Sequence, residues 1–189
     1  MADSTIRGRY RLSIDLVLAP GVNDFAPRAM QVAVVNSLSW GHSLSGAVGI
    51  GLRHSYVLTD IDKNIYGYGE DDEVTYSDRL LLPLFVRVKG VVPVGKFPCL
   101  GASFTPFAQM TVGYAVDMQQ SVRQRTVAGP FMEPALGLDM RLHGGSYWSL
   151  TTGVGLQSAQ YRVVDHAAGN VEMKTGNAVS LNFGIAYVF

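Results

Sequence analysis

The most constraining feature of this sequence is an alternation of apolar and polar residues that returns in eight segments. No Asp, Glu, Lys or Arg falls on the apolar phase of any of them. In Tyr10-Arg11-Leu12-Ser13-Ile14-Asp15-Leu16-Val17-Leu18 the even positions are apolar and the odd ones mostly polar. The same parity runs through Met30 to Trp40, Gly46 to Tyr56, Leu80 to Val88, Phe104 to Val116, Met132 to Leu142 and Trp148 to Leu156. The last segment shifts phase, so that Val179, Leu181, Phe183, Ile185, Tyr187 and Phe189 share a face. Successive side chains of a strand point to opposite sides, so this pattern specifies two-faced strands, and no helical period competes with it. Strands are expected at roughly 7-18, 29-40, 45-57, 79-90, 102-117, 129-142, 146-162 and 177-189, within one domain spanning 1-189.

Most of these segments reach the roughly 9–11 residues that a membrane-crossing strand needs. A helical span is excluded, because no run of about 18 apolar residues exists. The longest run, Leu80-Leu81-Leu82-Pro83-Leu84-Phe85-Val86, is interrupted by proline and followed by Arg87 and Lys89. The formal net charge is zero, which gives no basis for nucleic-acid binding or for a polybasic membrane surface. The connections alternate in length. Gly41-His42-Ser43, residues 90–98 and His143-Gly144-Gly145 read as short turns; residues 19–27, 58–78, 118–126 and 163–177 read as longer polar loops. Short turns on one side and long loops on the other are the asymmetry of outer-membrane barrels, and they put both termini in the periplasm. The start, Met1-Ala2-Asp3-Ser4-Thr5, has no apolar core of a signal peptide, so an exported protein is expected here in mature form. Cys99 is the single cysteine, so an intramolecular disulfide is impossible.

Parity alone does not say which face is wet. In a soluble barrel the apolar face points inward, and a ligand-binding barrel of that kind is the competing class. Size and charge favour the inverse. Arg9, Arg11, Asp15, Arg53, Arg87, Lys89, Asp117, Glu133, Asp139 and Arg141 share the polar faces with Gly49, Gly51, Gly113, Gly137, Gly153, Gly155 and Gly184. Mixed charges among glycines fit a narrow lumen, where a large side chain needs a small one opposite; a water-facing sheet carries abundant Lys and Glu and few glycines. Only 16% of the chain is charged, below the usual quarter, which agrees with an outer face that meets lipid. Tyr10, Trp40, Trp148, Tyr187 and Phe189 cluster near one expected interface, with Tyr56 and Tyr114 near the other, as an aromatic girdle requires. The expected fold is all-β: an eight-stranded antiparallel up-and-down transmembrane β-barrel. Its first and last strands must pair, because open edges have no partner in hydrocarbon.

The final segment, Val179-Ser180-Leu181-Asn182-Phe183-Gly184-Ile185-Ala186-Tyr187-Val188-Phe189, ends on an aromatic residue after alternating apolar ones. It resembles the carboxy-terminal signal that outer-membrane barrels present to the barrel-assembly machinery, with Tyr187 and Phe189 as its aromatic positions. Together with Tyr10 to Leu18, Trp40-Gly41-His42, Val48-Gly49-Ile50-Gly51-Leu52 and Pro83-Leu84-Phe85-Val86-Arg87, it makes the chain similar to the small porin-like outer-membrane β-barrel family, from about Ile6 to Phe189. That resemblance implies residence in the Gram-negative outer membrane. It also implies contact with outer-membrane lipids and with the assembly machinery during biogenesis.

The chemistry expected of these residues is modest. The lumen charges are expected to form ion-paired networks that plug the barrel, with a narrow pore for ions or small solutes as the alternative. Asp60-Ile61-Asp62-Lys63-Asn64, with Asp71 in twelfth place, opens like a calcium-binding loop. Ile65 stands where that loop needs glycine, so a solvated acidic loop is the stronger reading and no metal or cofactor is expected. Gly46-Ala47-Val48-Gly49-Ile50-Gly51 leads into strand rather than a helix amino terminus and is no phosphate loop. His54-Ser55 and His42-Ser43 lack the spacing of a hydrolase, which leaves a lipid-modifying enzyme a distant alternative. Tyr66, Tyr68 and Tyr76 in the longest loop offer a possible protein-recognition surface. The expectation is a non-enzymatic structural or accessory barrel with loops available for recognition.

Overall fold

The computed structural model describes residues 9–20, 28–40, 43–62, 73–91, 97–99, 102–119, 126–142, 148–165 and 170–189. They form nine strands: β1 (Arg9–Pro20), β2 (Arg28–Trp40), β3 (Leu44–Asp62), β4 (Glu73–Val91), β5 (Phe97–Cys99), β6 (Ala102–Asp117), β7 (Thr126–Leu142), β8 (Trp148–Asp165) and β9 (Asn170–Val188). Each long strand pairs antiparallel with its sequence neighbour. β1 also pairs with β9, which closes eight of them into an up-and-down barrel. The last residue is tied in as well, its backbone N–H donating to the Tyr10 carbonyl at 2.9 Å.

Closure carries a definite stagger. A row of partners that runs from Val17 through Gln31 and Arg53 ends on Leu81 of β4. The same row followed the other way, through Asn182, Gly153, Gly137 and Phe107, ends on Val91 of the same strand, ten residues further along. That stagger tilts the strands steeply, as small closed barrels require, and leaves an interior wide enough only for side chains.

The strand count expected from the sequence is met by the eight long strands, but two boundaries move. The stretch 58–78, expected as a loop, is largely strand. β3 and β4 run past the apolar belt to pair Asp60 with Thr75 and Asp62 with Glu73, after a register shift between Leu58 and Asp60. Likewise β8 and β9 continue to the pairing of Asp165 with Asn170. The cause is that alternation fades where a hairpin leaves hydrocarbon for water on both faces, while the ladder hydrogen bonds continue. The supposed short turn at 90–98 contains β5, whose Phe97, Pro98 and Cys99 pair with Phe104, Ser103 and Ala102.

Burial is inverted relative to a soluble protein. Leu136, Leu156 and Val48 expose 67%, 64% and 59% of their surface, and the apolar phase of every long strand faces outward with them. Left in water, each such side chain would forgo about 1.5–3 kcal/mol of burial. A continuous belt of them is therefore stable only against hydrocarbon. Val154→Arg, between the two girdles, tests this: it should cost about 2–4 kcal/mol of folding free energy in lipid vesicles, as a charge near mid-membrane does. In water an exposed Val to Arg change stays within about 0.5 kcal/mol. Urea titration of the vesicle-embedded protein distinguishes the two.

Candidate functional site: the lumen

Every barrel strand contributes inward side chains, and they stack as layers along the barrel. Near the short-turn end, β4, β7, β1 and β8 meet. Lys89 Nζ donates to Asp139 Oδ2 at 2.6 Å, and Arg11 Nη1 lies 3.5 Å from the same oxygen. Arg11 Nη2 also donates to Thr151 Oγ1 at 2.8 Å, and that hydroxyl donates to Asp139 Oδ1 at 2.7 Å. Lys89 sits 3.7 Å from the centre of the Phe107 ring, a cation–π contact that shields it further. The next pair crosses the barrel from β4 to β1: Arg87 bonds Asp15, and its Nε donates to Thr111 Oγ1 at 3.1 Å.

Above them lies an apolar layer of Ala33, Val35, Leu81, Phe85, Ala115, Phe131 and Ala159, all buried. Phe85 and Phe131 meet edge-on, with ring centres 6.5 Å apart. The Phe85 ring takes the space a side chain would need at Gly49, and the Leu84 carbonyl oxygen with the Phe131 ring takes it at Gly113, which is why glycine stands there. On the far wall Glu133, buried, accepts from Ser180 Oγ at 2.6 Å and Asn182 Nδ2 at 2.8 Å. At the long-hairpin end Arg53, Arg79, Ser55, Asp117, Gln31 and Gln157 are all buried.

Most of the charged residues expected in the lumen are there: Arg11, Asp15, Arg53, Arg87, Lys89, Asp117, Glu133 and Asp139. Arg141 has lumen parity but is exposed, beside Ser149 at the short-turn rim, and joins none of the described ion pairs. Arg9 begins β1, and its side chain lies outside the described residues. Sequence reasoning passed over Arg79, although it shares the odd parity of Arg87 and Lys89 on one strand. It also passed over Phe85, Phe107 and Phe131, large apolar residues on the polar phase. That mismatch was the available signal for an internal packed layer.

At the short-turn end four girdle aromatics of β1, β8 and the last strand form a chain of ring contacts. Tyr10 packs on Phe189 at 5.5 Å, Phe189 on Tyr187 at 4.9 Å and Tyr187 on Trp148 at 5.2 Å. Trp40 and Tyr114 are exposed on the same outer surface, and the Tyr56 side chain lies outside the described residues. Asp60 and Asp62 stand in β3 rather than in a calcium-binding loop, because the hairpin ladder takes them up; Asn64 and Asp71 lie outside the described residues. Among the described residues no three His, Cys, Asp or Glu side chains gather as a metal group. His54 faces outward and pairs with Asp78 at 3.3 Å. Ser55 points into the lumen, so strand geometry puts the His and the Ser on opposite sides of the wall. His42, Tyr66 and Tyr68 lie outside the described residues, as does the Tyr76 side chain.

No family model and no curated protein matches the chain. Among solved structures it is similar to the outer membrane protein OprG from Pseudomonas aeruginosa. The TM-score is 0.57 at 9% identity, covering 97% of this chain and 97% of that one. It is also similar to the outer membrane protein AlkL in lipid bilayers, with a TM-score of 0.56 at 13% identity, covering 100% of this chain and 93% of that one. The chain thus has the closed antiparallel barrel fold of outer-membrane proteins.

Proposed function

We propose that this chain works in the outer membrane of a Gram-negative cell as a sealed, non-enzymatic barrel, a structural or accessory protein. The reading rests on the filled lumen. The apolar cluster around Phe85 and Phe131 fills one side of the lumen, and Glu133, Ser180 and Asn182 on the far wall are bonded to one another, so shedding its water at this level is costly for an ion. The layer beneath it is cross-braced from wall to wall by Arg87–Asp15 and Lys89–Asp139. A narrow pore would need a wet path through both. Lipids contact the outer belt, the assembly machinery meets the last strand, and any protein partner is met by the long β3–β4 hairpin and its loop.

Planar-bilayer recording tests the reading. The wild-type protein should give no steady conductance steps. Phe85→Ala and Phe131→Ala combined with Arg87→Ser and Lys89→Ser, which remove the rings and the cross-braces of both layers, should introduce them. Steady steps from the wild type would replace the sealed barrel with a channel. A change in the mass of lipids extracted from cells that express the protein would replace it with an enzyme.

A further inference from the structure

Among the lumen cations described, Arg11, Arg87 and Lys89 each have a carboxylate oxygen within 3.5 Å. The long-hairpin end breaks that pattern. Arg53 is 2% exposed and Arg79 is 4% exposed. Arg53 donates from Nε to Ser55 Oγ at 3.0 Å, and its Nη1 has no hydrogen-bond partner. Arg79 Nη1 stands 3.9 Å from Asp117 Oδ2, too long for a direct bond, and its Nε has no partner. Asp117 also accepts from the backbone N–H of Gln119 at 2.9 Å. Among the described ion pairs at this level, Asp117 reaches Arg79 and none reaches Arg53.

The two arginines are placed to act together. Ser55 on β3 is the cross-strand partner of Arg79 on β4, and Arg53 precedes Ser55 by two residues on the same inward face. They are diagonal neighbours, separated by roughly 7–8 Å along the sheet and joined by long side chains. Leu81, the strand partner of Arg53, and nearby Ala115 and Phe85 set apolar side chains beside them, which lowers the local dielectric and strengthens any charge interaction at the site. A buried cation without a counter-charge is strongly disfavoured, so the arrangement calls for an anion. The guanidinium fork matches two oxygens of one acidic group.

We infer that Arg53 and Arg79 form an oxyanion site at the long-hairpin end of the lumen, for a small soluble phosphate, sulfate or carboxylate. The site lies inside the wall, on the inward face of the β3–β4 hairpin. A lipid headgroup, by contrast, stands outside the wall, beyond the apolar belt. The inference does not depend on whether the barrel conducts, because it rests on the two guanidinium groups and not on the seal.

Calorimetric titration of the full chain, refolded in uncharged detergent at low salt, with inorganic phosphate tests it. Wild type should bind phosphate at one site. Arg53→Gln and Arg79→Gln should each weaken binding by about ten-fold or more, the effect of a lost charge-assisted hydrogen bond. Arg53→Lys, which keeps the charge and loses the fork, should fall between, and Arg141→Gln at the opposite rim should match wild type. Heat-dependent gel mobility establishes that each variant is folded, and Arg53→Lys with Arg79→Lys carries the test if the Gln variants do not fold. Absence of phosphate binding by the wild type, or unchanged affinity in both folded arginine variants, overturns the site. Equal loss in Arg141→Gln, or displacement of phosphate by phosphatidylglycerol micelles, overturns it as well.

Discussion

Asp139→Ala lowers the unfolding free energy of the vesicle-embedded barrel by about 3 kcal/mol, the lower end of what breaking a buried ion pair costs. The lower end applies because the Lys89 and Asp139 side chains keep 13% and 19% of their surface exposed, which admits some screening. Asp139 receives Lys89, Arg11 and the Thr151 hydroxyl, drawn from three other strands. Without it, Arg11 and Lys89 repel one another in a narrow interior, and of its described contacts Lys89 retains only that with Phe107. The paired replacement Lys89→Met with Asp139→Leu should recover part of the loss, because it removes those two charges together and leaves Arg11 with its bond to Thr151. Urea titration followed by tryptophan fluorescence measures both. A single variant as stable as wild type would mean that water already screens this cluster.

The second large effect is steric. Gly113 faces the lumen between Phe85 and Phe131, and a Cβ there would overlap the Leu84 carbonyl oxygen, the Phe131 ring and the Phe85 Cβ. Two of those three neighbours are fixed by the β4 backbone and cannot rotate away. Gly113→Val should therefore cost about 3 kcal/mol or prevent formation of the heat-modifiable barrel, the severe end of overpacking. Adding Phe131→Ala should give only partial relief, since the Leu84 carbonyl stays in place. Gly90→Ala is the control. Only the Ser43 carbonyl oxygen, at 3.9 Å, stands near its Cβ, so the change should stay within about 0.5 kcal/mol. Full rescue by Phe131→Ala would show that ring packing, rather than the closeness of β4 and β6, demands glycine at 113.

The strands and their faces were legible because alternation is local geometry. A residue such as Leu156 points away from Gly155 and Gln157 whatever the rest of the chain does. The inversion was legible too, from charges kept with glycines on one phase and aromatics gathered at the ends of the other. The upper hairpins were not, because residues 58–62 and 73–78 leave the membrane, where neither face need be apolar. Arg79 was missed at that margin. Arg141 was misjudged at the opposite one, since parity sets the direction of a side chain but not its depth.

The sequence by itself determined that this protein is built of two-faced strands, with an apolar outside, a polar inside and no helical membrane span. It did not determine which inward side chains meet. A slip of two residues between neighbouring strands leaves every face intact, so alternation cannot fix the register. Closure fixes it. The ten-residue stagger around the barrel brings Asp15 to Arg87, 72 residues away, and Lys89 to Asp139, 50 residues away. The same stagger leaves Arg53 beside Gln31 and Leu81, with no carboxylate to receive it among the described residues.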